Sequence, residues 1–209
     1  MLFRSNPELG AVMGFAVLDR AGGLVVQNND TMEFIGLFQS LSSLEGDLTI
    51  QDNGHILRLD SLPLLQSVSG DVVVSGNPFL GTVTGLGQLE SVGGTLSFEG
   101  DRLQRIGGLD MLTEVVGTLN LEDLPDLIQI DGYDEIIEVG GVRMVNTALP
   151  DLSDLSELRL VRGDLLVRNN DLLTSVSGLG HLEVVEGSFT IRLNDILPQI
   201  GRASCRERV

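Results

Sequence analysis

A Gly-x-apolar-x-apolar unit returns along this chain as Gly22-Gly23-Leu24-Val25-Val26, Gly46-Asp47-Leu48-Thr49-Ile50 and Gly70-Asp71-Val72-Val73-Val74. It continues from Gly94, Gly117, Gly140, Gly163 and Gly187, with spacings of 24, 24, 24, 23, 23, 23 and 24 residues. A unit this short cannot bury its own apolar face, so a fixed period requires units stacked on one another around a shared core. Counted from each glycine, apolar residues fall at +2, +4, about +10, +13, +16, +19 and +22. In the Gly70 unit these are Val72, Val74, Leu80, Val83, Leu86, Leu89 and Val92. The first pair has the period of a strand with one buried face. The later step of three is too tight for a sustained α-helix and predicts turns, 3₁₀ segments or short extended pieces. The fold class expected is a β-rich solenoid of parallel-stranded, right-handed coils, about eight of them, rising roughly 38 Å at the parallel strand spacing.

Position +7 carries Asn29, Asn53, Asn77, Asp101, Asn170 and Asn194, and the shortened coils place Asp123 and Asn146 at +6. A carboxamide both donates and accepts, so asparagines repeated at one position are expected to bond the backbone of adjacent coils as a structural ladder.

The strand-turn element Leu48-Thr49-Ile50-Gln51-Asp52-Asn53 resembles the leucine-rich-repeat signature, and the unit running from Leu86 to Gly94 is similar to the receptor L-domain class. The resemblance extends from Gly22 to about Gln199. It implies a leucine-rich or receptor-L-domain-like architecture and a place on a cell surface or outside the cell, the setting of microbial surface repeat proteins. The cysteines that brace animal receptor domains have no counterpart here, so a hormone-binding role does not follow.

The two ends read differently. Met1 to Ser5 and Ile200 to Val209 resemble translated sequencing adapter and are expected to lie outside the repeat. Residues 6–21 are expected to be part of a preceding coil, and 22–199 a single solenoid domain continued by further coils of the same protein. The sole cysteine, Cys205, falls in the second adapter-like stretch, so the repeat itself offers neither a disulfide nor a thiolate.

With 13 basic residues, all Arg, against 30 acidic ones, the net charge is −17, which disfavours nucleic acid as a partner. No apolar run has the length of a membrane helix, so no membrane insertion is expected from this stretch. Hydrolase and zinc motifs are missing, and neither cofactor nor metal is expected. Gly76-Asn77-Pro78-Phe79-Leu80-Gly81-Thr82 mimics a phosphate loop without its Lys. His55 and His181 sit in distant coils as surface residues. Arg162-Gly163-Asp164 spells an adhesion triplet and Asn29-Asp30-Thr31 a glycosylation sequon, yet both are composed of residues that the repeat already accounts for.

The outward strand positions are not dictated by stacking. At +3 they run Val25, Thr49, Val73, Ser97, Asn120, Arg143, Leu166, Thr190, and at +5 Gln27, Gln51, Ser75, Glu99, Glu122, Val145, Arg168, Arg192. Glu99, Glu122, Asn120, Arg143, Arg168 and Arg192 are therefore the candidate ligand-binding residues. Glu99 and Glu122, with Asp101 and Asp123 nearby, would stay solvated or pair with Arg143 diagonally, hold a hard cation, or perform acid-base chemistry on a polysaccharide. The arginines would stand as plain surface charge or clamp an anionic sugar or a partner's carboxylates. The function expected is non-enzymatic recognition or adhesion, with a protein or glycan ligand at the cell surface. The alternatives are a passive structural spacer and a carbohydrate-active β-helix enzyme.

Overall fold

The structure is a computed structural model that describes residues 1–36 and 38–197. It is a β-solenoid of about eight turns with parallel stacked sheets and, among the described residues, no α-helix. The +2/+4 segments form the main row: Leu24–Asn29, Leu48–Asn53, Val72–Ser75 and Leu96–Glu99, then the long strands Glu114–Leu124 and Glu138–Thr147, then Leu165–Arg168 and Phe189–Arg192. A four-stranded sheet of two-residue strands (Arg58–Leu59, Thr82–Val83, Arg105–Ile106, Gln129–Ile130) lines a second side. A third row includes Ser43–Leu44, Ser67–Val68 and Ser91–Val92, and merges with the main row where the two long strands run through the corner.

The inward positions behave as the spacing requires: Val72, Val74, Leu80, Val83, Leu86, Leu89 and Val92 are all fully buried. The steps of three resolve into turns and the 3₁₀ segments Ser153–Leu155 and Ser177–Leu179. Towards the C-terminal end the same positions, Val176, Leu179, Leu182 and Val185, are only partly covered. The repeated glycine has a steric cause. A Cβ on Gly46 would lie 2.4 Å from the Gly22 carbonyl oxygen of the coil below. Its Asp neighbour has a polar one: Asp47 Oδ1 accepts the Asp71 N–H (2.9 Å), and Asp71 Oδ1 the Thr95 N–H (2.7 Å). Each corner carboxylate thus satisfies a backbone donor of the next coil.

The ladder is shorter than the sequence pattern suggests, and shifted at two coils. Asn146 is exposed and lies outside it, as does Asp123. Leu124 and Thr147 occupy the ladder position and pair with each other across the strands. Asn146 and Asp123 instead belong to position +6, which is left-handed in every coil: Asn28, Asp52, Gly76, Gly100, Asp123, Asn146, Asn169 and Leu193 all have φ between 53° and 65°. Asn and Asp tolerate that backbone best among residues with a side chain, and this is why the residue type appears there. Leu193 is the exception, and its side chain is mostly exposed. Leu193→Gly is expected to raise stability by about 1 kcal/mol, measured by urea unfolding, through relief of left-handed strain.

Residues 1–5, expected outside the repeat, continue it. Leu2–Arg4 pairs in register with Val25–Gln27, Ser5 takes the left-handed position (φ 55°), and the Asn6 N–H donates to Asn29 Oδ1 (3.1 Å). The alternation of Leu2-Phe3-Arg4 explains it, since Phe3 turns inward to meet Phe15, 5.8 Å between ring centroids. The C-terminal stretch 200–209, with Cys205, lies outside the described residues. No described helix is long and apolar enough to cross a membrane.

Candidate ligand-binding face

Strand register turns the outward positions into continuous rows. Ser97, Asn120, Arg143 and Leu166 stand side by side, as do Glu99, Glu122, Val145, Arg168 and Arg192. Asn120 Nδ2 donates to Ser97 Oγ (2.9 Å), while its Oδ1 is buried without a donor. Arg143 reaches diagonally across the rows to Glu122. Its Nε donates to Oε2 (2.7 Å) and its Nη2 to Oε1, a bidentate pair that holds the guanidinium pKa above its ordinary value.

That pair alters the carboxylate cluster anticipated around Glu99. Both Glu122 oxygens are taken by Arg143, and Asp123 Oδ1 accepts from Asn146 Nδ2 (2.9 Å). Asp101 lies on the inner side of the sheet, 2% exposed, accepting from the Asn77 backbone and carboxamide. The four carboxylates do not converge. No group of three or more His, Cys, Asp or Glu residues able to hold a metal occurs among the described residues.

The other two candidate arginines differ from Arg143, and share the lack of an ion pair among the described residues with Arg4 and Arg102. Arg20, Arg58, Arg105, Arg143, Arg159 and Arg162 each sit beside a carboxylate. Arg168 and Arg192 are in-register neighbours with no carboxylate partner among the described residues, and Arg168 Nε is buried without an acceptor. Beside Arg143 a cavity of about 310 Å³ opens between Thr118, Gly141, Gly163 and Leu166.

The adhesion-like triplet is consumed by the fold. Arg162 pairs with Glu138, and Asp164 Oδ1 accepts the Ser188 N–H (2.7 Å) in the same way as the other corner aspartates. In the sequon, Asn29 is fully buried and its carboxamide donates to Phe3 O and to Asn53 Oδ1. Three features escaped the sequence pattern. Asn6 and Thr147 are ladder residues, the first legible as standing 23 residues before Asn29. The corner role of the aspartates was implicit in the repeated Gly-Asp. The stacking of His55 on Phe79 joins different coils and leaves no mark on the pattern. Comparison with protein-family models, curated proteins and solved structures finds no match to this chain.

Proposed function

We propose that this chain is a non-enzymatic recognition module of a surface or secreted protein, and that it binds a protein or glycan ligand through the exposed parallel sheet. The observation that carries this reading is the Arg168–Arg192 pair. Like charges opposite one another on neighbouring strands repel, and a buried guanidinium nitrogen without an acceptor costs free energy. The chain has 30 acidic residues with which to neutralise such a pair, and Arg143 on the same face has been given one. A ligand carboxylate placed between the two would relieve the repulsion and supply the missing acceptor. The high net negative charge does not forbid this, because at physiological salt charges beyond about 8 Å are largely screened.

The test is retention of the full chain on immobilised polygalacturonate, with neutral dextran as control. Wild type is expected to be retained on the acidic polymer and released by salt. The Arg168→Ala/Arg192→Ala double variant, with an unchanged melting curve, is expected to elute with the void. Flow-through of wild type, or equal retention of the variant, would leave the module as a passive spacer.

A further inference from the structure

The side of the solenoid that carries the short four-stranded sheet holds a second feature. A cavity of about 560 Å³ is lined by Glu33, Phe34, His55, Leu57 and Arg58, within the size range of small-ligand sites. Phe34 and Leu57 expose 37% and 65% of their surface there. The positions are not dictated by stacking: the equivalent places on later coils are Gly81, Thr82, Gln104 and Arg105. His55 is held from two sides. Its ring stacks on Phe79 (5.7 Å, 11°), and its Nδ1 lies 2.8 Å from the Asp30 carbonyl oxygen. A carbonyl only accepts, so Nδ1 carries the hydrogen and Nε2 of the neutral ring is an acceptor. Arg58 is anchored through Nε to Asp60 (3.1 Å), which leaves its terminal nitrogens as donors.

From this lining we infer that the cleft is a binding site for a neutral hexopyranose unit of a glycan, separate from the sheet face. Glu33 and Arg58 carry opposite charges, so the lining offers no net charge to draw an anion or a cation, which suits an uncharged occupant. Phe34 and Leu57 match the apolar C–H face of a pyranose. Glu33 and His55 Nε2 accept from hydroxyls, and Arg58 donates to them. An aromatic cage for a quaternary ammonium would need several rings around one point with no cation in the wall, and Arg58 stands in this one.

The experiment is calorimetric titration of the full chain with cellohexaose, whose equatorial hydroxyls leave both ring faces apolar. Binding is expected, weakened roughly tenfold by Phe34→Ala and by Glu33→Gln and unchanged in Arg168→Ala/Arg192→Ala. Glu33 is an exposed side chain, so its variant reports on the site even if Phe34→Ala disturbs the coil. Absence of binding would overturn the inference, as would an affinity insensitive to Glu33→Gln, or loss of binding in the double arginine variant. Binding of choline in place of the sugar would overturn it as well.

Discussion

Asp101→Asn is expected to stabilise the protein at pH 8 by on the order of 3 kcal/mol and to flatten its stability between pH 4 and pH 7. Asp101 occupies the ladder position immediately after Asn77 and is almost wholly buried. Burial pushes its carboxyl pKa from 3.8 up to about 7, with Asp52 adding to the rise, against the hydrogen bonds from Asn77. The ladder geometry supplies the chemical reason. Asn53 Nδ2 donates to Val26 O, Asn77 Nδ2 to Ile50 O and Asn170 Nδ2 to Met144 O, each in the preceding coil. The corresponding acceptor for Asp101 is the Val74 carbonyl, in register with Ile50. A carboxylate has no hydrogen to give it, whereas a protonated carboxyl or a carboxamide does.

The sign of the pH dependence follows. Above pH 7 the carboxyl is ionised in both folded and unfolded chains, and the full cost of burying the charge is felt. Between pH 7 and pH 4 the folded state holds a proton that the unfolded state has lost, so acidification stabilises the fold. Below pH 4 the cost is gone. Asp154, raised to about 6 by burial and by Asp131, Asp134 and Asp151, acts in the same direction and leaves a smaller slope in the variant. Urea unfolding of both proteins at pH 5 and pH 8 checks this. Parallel pH profiles for the two proteins would refute the assignment.

The stacking, the strand positions and the row order on the sheet are legible in the sequence because each follows from a period, and a period is enforced at every coil. What a count from the glycine misplaces is the site of each shortening. Assigning Asp123 and Asn146 to the ladder assumes the lost residue precedes it, but Leu124 and Thr147 keep the +7 place and their strands stay in register. In the Gly140 coil the residue is lost after Thr147, so that Leu149 rather than residue 150 turns inward. Residue type misled because Asn and Asp serve two adjacent positions for different reasons, one for its hydrogen bonds and the other for its left-handed backbone. The Glu122–Arg143 pair was legible as a diagonal between neighbouring coils. The cleft around His55 was not, because it joins exposed positions that the repeat leaves free.

Asn53→Ala is expected to cost about 3–5 kcal/mol, one of the larger losses available to a single substitution in this fold. Asn53 is fully buried. Its Oδ1 accepts from Asn29 Nδ2 (3.0 Å), and its Nδ2 donates to Val26 O (2.9 Å) and to Asn77 Oδ1 (3.2 Å). Truncation strands the Val26 carbonyl inside the stack, removes an acceptor from Asn29 and leaves a cavity. Asn53→Leu separates the causes: Leu124 fills the same position, fully buried, so the volume is tolerated, yet the Val26 carbonyl is still left without that donor. Leucine is therefore expected to recover only the cavity part of the loss. Asn194→Ala is expected to cost about 1 kcal/mol, because Asn194 is half-buried and water can replace its bonds to Asn170 N and Val167 O. In a stack of coils that contact only their neighbours, damage should also be local. Hydrogen exchange in Asn53→Ala should quicken in Leu24–Asn29 and Val72–Ser75 while Leu165–Arg168 keeps its protection. Uniform quickening along the whole chain would mean that the ladder acts through global stability rather than as a set of bonds between adjacent coils.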